Sequence, residues 1–169
     1  MVNSLLITSN GVYEKYFKKS FGKPELFFYF YRKMTTQAKI TLPHFSRGFH
    51  LITRNILDNL PSLPEQGLIN IFIQHTSAGI CINENGDPTV RLDFETVFNR
   101  LIPDGAREYV HSYEGPDDMP AHIKSTLIGQ SVSIPITNGR LNLGTWQGVY
   151  LGEFRDHGGS RRLVITIIS

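Results

Sequence analysis

Ser131-Val132-Ser133-Ile134-Pro135-Ile136-Thr137-Asn138-Gly139 is the stretch that decides the fold. Val132, Ile134 and Ile136 alternate with Ser131 and Ser133, the two-residue period of a strand with one dry face. Asn138-Gly139 then supplies the two positions of positive φ that a tight hairpin needs. Working outward, Trp146 to Phe154 and Leu163 to Ile168 read as two further strands. In the second of these Leu163, Ile165 and Ile167 alternate against Arg162, Val164 and Thr166. Upstream, Leu68-Ile69-Asn70-Ile71-Phe72-Ile73-Gln74 is almost continuously apolar and β-branched, so it reads as a buried strand. Lys39-Ile40-Thr41-Leu42 reads as a strand ended by Pro43, and Ile80-Cys81-Ile82 is strand-like.

Helical periods fall between these runs. Ile52 to Leu60 repeats apolar residues at 52, 56, 57 and 60 before Pro61 stops it. Asp87 reads as an N-cap with Pro88 at the first helical position. Val90, Phe94, Val97, Phe98 and Leu101 then share one helical face, predicted to meet the core, until Pro103-Asp104-Gly105. A further helix is predicted from Asp118 to Leu127, capped by Asp117 or Asp118, with Met119, Ile123 and Leu127 repeating every four residues. Six to eight strands and two or three helices, without a βαβ rhythm or internal repeat, predict an α+β fold built as a two-sheet β-sandwich.

Composition narrows the class. With 40% hydrophobic and 19% charged residues the chain can bury a core. Residues 1–33 carry six lysines and arginines against Glu14 and Glu25, a balance of +4. The whole chain is +2, which leaves residues 34–169 at −2. A single domain over 34–169 is therefore mildly acidic and offers no nucleic-acid footprint. Residues 1–33 read as an extension: a targeting leader, a disordered appendage, or sequence upstream of the true start at Met34. Cys81 is the sole cysteine, which fits a reducing, cytoplasmic setting, with organelle targeting by residues 1–33 left open. No apolar run approaches the ~18 residues of a membrane span, so no membrane partner is expected.

The reactive side chains sit in turns. His75-Thr76-Ser77-Ala78-Gly79 follows a buried strand, where a histidine can serve as metal ligand, general base, anion contact or simple structural bond. Glu84 precedes the Asn85-Gly86-Asp87-Pro88 turn without being needed by it. His111 and His122 bracket the densest polar stretch; a third ligand such as His75 would have to come from elsewhere in the fold, as in zinc sites with three protein ligands. Asp117 and Asp118 read equally well as helix caps. Glu153 and Arg155 belong to one strand, and His157-Gly158-Gly159-Ser160-Arg161-Arg162 combines glycines with forked donors suited to phosphate.

Taken in order, His75-Thr76-Ser77-Ala78, Asn83-Glu84-Asn85-Gly86-Asp87-Pro88-Thr89-Val90-Arg91, Tyr113 through Ser125, Gly144-Thr145-Trp146-Gln147-Gly148 and Gly158-Gly159-Ser160-Arg161-Arg162 resemble the YjbQ family, described as secondary thiamine-phosphate synthases. The resemblance runs from about residue 36 to the end. It implies a homotrimer and a capacity to join hydroxymethylpyrimidine diphosphate to a thiazole phosphate with release of pyrophosphate. It also implies His75, Glu84, Asp118 and Glu153 as catalytic residues, and His75, His111 and His122 as ligands for zinc or magnesium. Arg161, Arg162, Ser160, Gly159 and Lys124 are implied at the anion end. Phe154 departs from the pattern, where a histidine is expected. Two other activities agree with the same residues: metal-dependent chemistry on a different phosphorylated small molecule, and metal or ligand binding without catalysis. Three histidines suit zinc, whereas diphosphate chemistry suits magnesium with oxygen ligands.

Overall fold

A computed structural model describes residues 35–169. The readings of residues 1–33 lie outside the described residues. Eight strands and three helices follow in the order β1 (Thr35–His44), β2 (Gly48–Leu51), α1 (Thr53–Leu57), β3 (Gln66–Ile73), β4 (Ala78–Glu84), α2 (Thr89–Leu101), α3 (Asp118–Ile128), β5 (Ser131–Thr137), β6 (Arg140–Leu141), β7 (Gln147–Glu153) and β8 (Ser160–Ile168). One sheet has the order β1-β8-β3-β5-β6 and the other β2-β7-β4, with every pairing antiparallel. The predicted α+β two-sheet architecture is therefore present.

Two apolar layers explain it. Between the sheets, Ile69, Ile71, Ile134, Leu163 and Ile165 of the large sheet pack with Ala78, Ile80, Val149 and Leu151 of the small one. On the far face of the small sheet, Phe49, Tyr150 and Phe154 pack with Ala121, Phe94 and Phe98. β7 lies inside both layers, so it is buried from Gly148 to Glu153, whereas β8 alternates because only one of its faces is covered. Asn138 and Gly139 take φ of 52° and 68°, and the predicted hairpin turn forms there.

Three expectations change in three dimensions. β1 runs through Pro43 to His44; it is an edge strand, where a missing N–H is tolerated, and its register shifts between Thr41 and His44. On α2, Asp87 Oδ1 does accept the Thr89 N–H at 2.8 Å, yet no residue of the helix is buried. Phe94 and Phe98 reach the second layer, while Val97 and Leu101 stay exposed. On α3 the buried face includes Asp118, Ala121, Lys124 and Ser125, and Leu127 is exposed. Small side chains there let the helix approach β4, where Ser125 Oγ donates to the Ala78 carbonyl at 2.8 Å. The four-residue apolar repeat named the wrong face because close approach, not hydrophobicity, sets this contact.

Candidate functional site

One end of the sandwich gathers the C-terminal end of β3, the start of β4, the end of β7 and the start of β8, with the N-terminus of α3 beside them. His111, Asp118 and His122 meet there, each offering a ligand atom, and these atoms lie within 4.8 Å of one another. Asp118 is 2% exposed, and among the described residues its Oδ2 has no hydrogen-bond partner. That oxygen lies 2.8 Å from His111 Nε2 and 3.6 Å from His122 Nε2. Zinc–nitrogen bonds of about 2.0–2.1 Å place tetrahedral ligands about 3.3 Å apart, and the two separations bracket that figure.

Outer contacts fix two of the three groups. His122 Nδ1 lies 3.1 Å from the Thr76 carbonyl, which accepts a hydrogen bond from that nitrogen and leaves the Nε2 lone pair directed at Asp118. Arg155 donates to Asp118 Oδ1, to Asp117 Oδ2 at 3.0 Å and to the Glu114 carbonyl at 2.8 Å. This clamp aims the second carboxylate oxygen at the histidines. Burial pulls the Asp117 carboxyl upward, yet the Asp156 N–H and the Arg155 guanidinium together hold it below the ordinary carboxylate range. The residues present fit a divalent metal: an orphaned buried oxygen, two imidazoles, and an outer shell that orients them.

His75 does not join this group. Its Nε2 accepts the Arg162 backbone N–H at 2.9 Å, and Arg161 Nη1 stands 3.3 Å from Nδ1. Burial, then the charges of Arg161 and Arg162, hold its pKa below 6.5. A neutral imidazole has one lone pair, and here the Arg162 N–H takes it.

The remaining predicted residues separate. Glu153 is fully buried and Arg161 nearly so, and Arg161 forks onto both carboxylate oxygens at 2.6 Å. Arg161 is therefore neutralised from within. Gly158 lies over this pair, since a Cβ there would fall 2.5 Å from Arg161 Nη2 and from Glu153 Oε1. Lys124 is 1% exposed and donates to Asn99 Oδ1 at 2.7 Å; burial and the Arg47 charge lower its pKa to about 8. Arg162, Ser160 and Gly159 are exposed. Glu84 closes β4 beside Gln147, six residues from Ala78, about 20 Å along the strand from this end. Its carbonyl accepts the Tyr150 hydroxyl. Cys81 is pushed up to about 11 by burial, so it is a thiol at neutral pH. Arg155 and Thr76 were visible in the sequence only as neighbours of other residues. Their roles depend on contacts 37 and 46 residues away.

The fold and the cluster define a small α+β two-sheet protein with a histidine–carboxylate centre at one end. The family model described as UPF0047 protein YjbQ-like matches residues 38–169. The chain belongs to that family. It is 52% identical over 136 residues to the UPF0047 protein YjbQ of Escherichia coli O157:H7, covering 79% of this chain and 98% of that one. It is 53% identical to the Salmonella typhimurium protein of the same name, with the same coverage. Among solved structures, a conserved hypothetical protein from Thermus thermophilus is 34% identical with a TM-score of 0.67, covering 76% of this chain and 97% of that one. An uncharacterized conserved protein of the yjbq/upf0047 family from Clostridium acetobutylicum is 35% identical with a TM-score of 0.65, covering 77% and 98%. Among the described residues, no helix is long and apolar enough to cross a membrane.

Proposed function

We propose that the chain is a metal-dependent enzyme acting on a phosphorylated small molecule, with His111, Asp118 and His122 as the ligands of one divalent ion. The observation that carries this reading is Asp118 Oδ2, buried without a hydrogen bond between two imidazole nitrogens. Two nitrogens and one oxygen favour zinc over magnesium. Three protein ligands leave a position for water or substrate, and an ion bound there supplies Lewis-acid polarisation of a phosphoryl oxygen.

The protein's own residues do the rest. Arg155 holds Asp118 aimed at the histidines, and the Thr76 carbonyl fixes the tautomer of His122. His111 lies in a loop with half its side chain exposed, so it can adjust as the set closes. Of the arginines expected at the anion end, Arg162 has a side chain without a partner among the described residues and so open to a phosphoryl group, because Arg161 is held by Glu153. Thiamine-phosphate formation, which the family resemblance implies, is the first reaction to test. A homotrimer accords with α2, which leaves Val97 37% and Leu101 68% exposed for a neighbouring copy.

The test uses the full chain and His122→Ala prepared identically. We expect one metal per chain by elemental analysis, and thiamine phosphate formed from the two phosphorylated halves, with both lost in the variant. Bound metal with equal background turnover in the two proteins would reject the synthase reaction. Metal content unaffected by the substitution would reject the centre itself.

A further inference from the structure

A cavity of about 300 Å³ opens where β2 faces the N-terminal half of α2, and shares no residue with the histidine cluster. Ser46 to His50 form one wall, and Pro88, Arg91, Leu92 and Glu95 the other. Arg91 and Glu95 are one helical turn apart, a spacing at which opposite charges commonly pair. Here they do not: among the described residues neither forms a salt bridge or side-chain hydrogen bond, and Arg91 Nη1 is out of solvent without a partner there. Asp87 and Lys124 act on them only through space. Arg47, by contrast, is already neutralised by Asp104 at 2.6 Å and 2.9 Å. His50 Nε2 is occupied by donating to the Ser46 carbonyl.

Space for a ligand is maintained by the backbone. Gly48 has φ +133°, and a Cβ there would stand 3.2 Å from Glu95 Oε2. A side chain at this position would therefore crowd the carboxylate. What the cavity offers is one unbonded guanidinium, one unbonded carboxylate, and apolar surface from Phe49, Pro88 and Leu92. The geometry points to a small zwitterion of the amino-acid class as its ligand. The carboxylate would fork onto Arg91, the ammonium would meet Glu95, and an aliphatic side chain would lie on the apolar wall. A ligand with adjacent opposite charges joins two groups that do not reach each other.

Calorimetric titration of the full chain with L-leucine tests this, with 4-methylpentanoate and isopentylamine as probes that each lack one charge. Leucine should bind, each single-charge analogue should bind more weakly, and Arg91→Gln and Glu95→Gln should each weaken leucine by about tenfold or more. Binding should survive removal of metal by chelation, which separates this site from the histidine cluster. Absence of leucine binding, equal binding of 4-methylpentanoate, indifference to both substitutions, or loss on chelation would each overturn the proposal.

Discussion

Glu153→Gln distinguishes a structural ion pair from a catalytic carboxylate. In the folded protein Glu153 is 0% and Arg161 4% exposed. Glu153 Oε1 accepts Arg161 Nη2 and the Arg155 N–H, and Oε2 accepts Arg161 Nε. The amide keeps the volume and one acceptor but turns an NH2 group toward the guanidinium, leaving a buried charge uncompensated. Breaking one side of such a pair costs about 3–5 kcal/mol. The retained acceptor puts this substitution near the lower end, about 3 kcal/mol. For a chain of this size each kcal/mol lowers Tm by roughly 2–4 °C, so a drop of about 6–12 °C is expected by circular dichroism. Replacing both partners, Glu153→Leu with Arg161→Met, should recover most of that loss, because neither charge is then stranded. A Glu153→Gln protein with unchanged Tm and abolished turnover would refute the structural assignment and return Glu153 to the chemistry.

Three further outcomes follow from the same geometry. Asp118→Asn should remove bound metal, and Arg155→Ala should weaken metal affinity by about 10–100-fold while the histidines remain, as read by competition with a chromogenic chelator. His75 is depressed below 6.5, chiefly by burial. The unfolded chain therefore binds the extra proton first, and stability present above pH 6.5 falls as the pH drops through 6.5 toward the folded value. His75→Gln should flatten this acid loss in urea-midpoint measurements on metal-free protein; an unchanged slope would contradict it. At Gly79 a Cβ would fall 2.8 Å from the Gly129 carbonyl and nearer still to Ile128. Gly79→Ala should thus destabilise by about 2 kcal/mol in urea melts, and a neutral result would mean that α3 can move off β4.

Local pattern and tertiary contact divided this protein between them. The alternation in β8, the Asn138-Gly139 turn and the Asp87 turn leading into α2 were legible because each rests on backbone geometry within a few residues. The residues that build the centre were also legible as types, since histidines and carboxylates in turns stand out against an apolar background. Which of them meet was not. His75 and His122 occupy neighbouring segments, yet one is taken by a backbone N–H of β8 and the other is turned toward Asp118. Arg161 and Lys124 read as anion donors until Glu153 and Asn99 are placed beside them. Even the buried face of α3 reversed expectation, because Ala121 and Ser125 permit a close approach that larger apolar residues forbid. Sequence by itself determined the chemical inventory and most of the elements, the short strand β2 excepted, because periods of two and 3.6 residues are local and a four-residue strand is too short to show one. Only the tertiary structure decided charge pairing and ligand grouping, because both depend on distances between residues far apart in the chain.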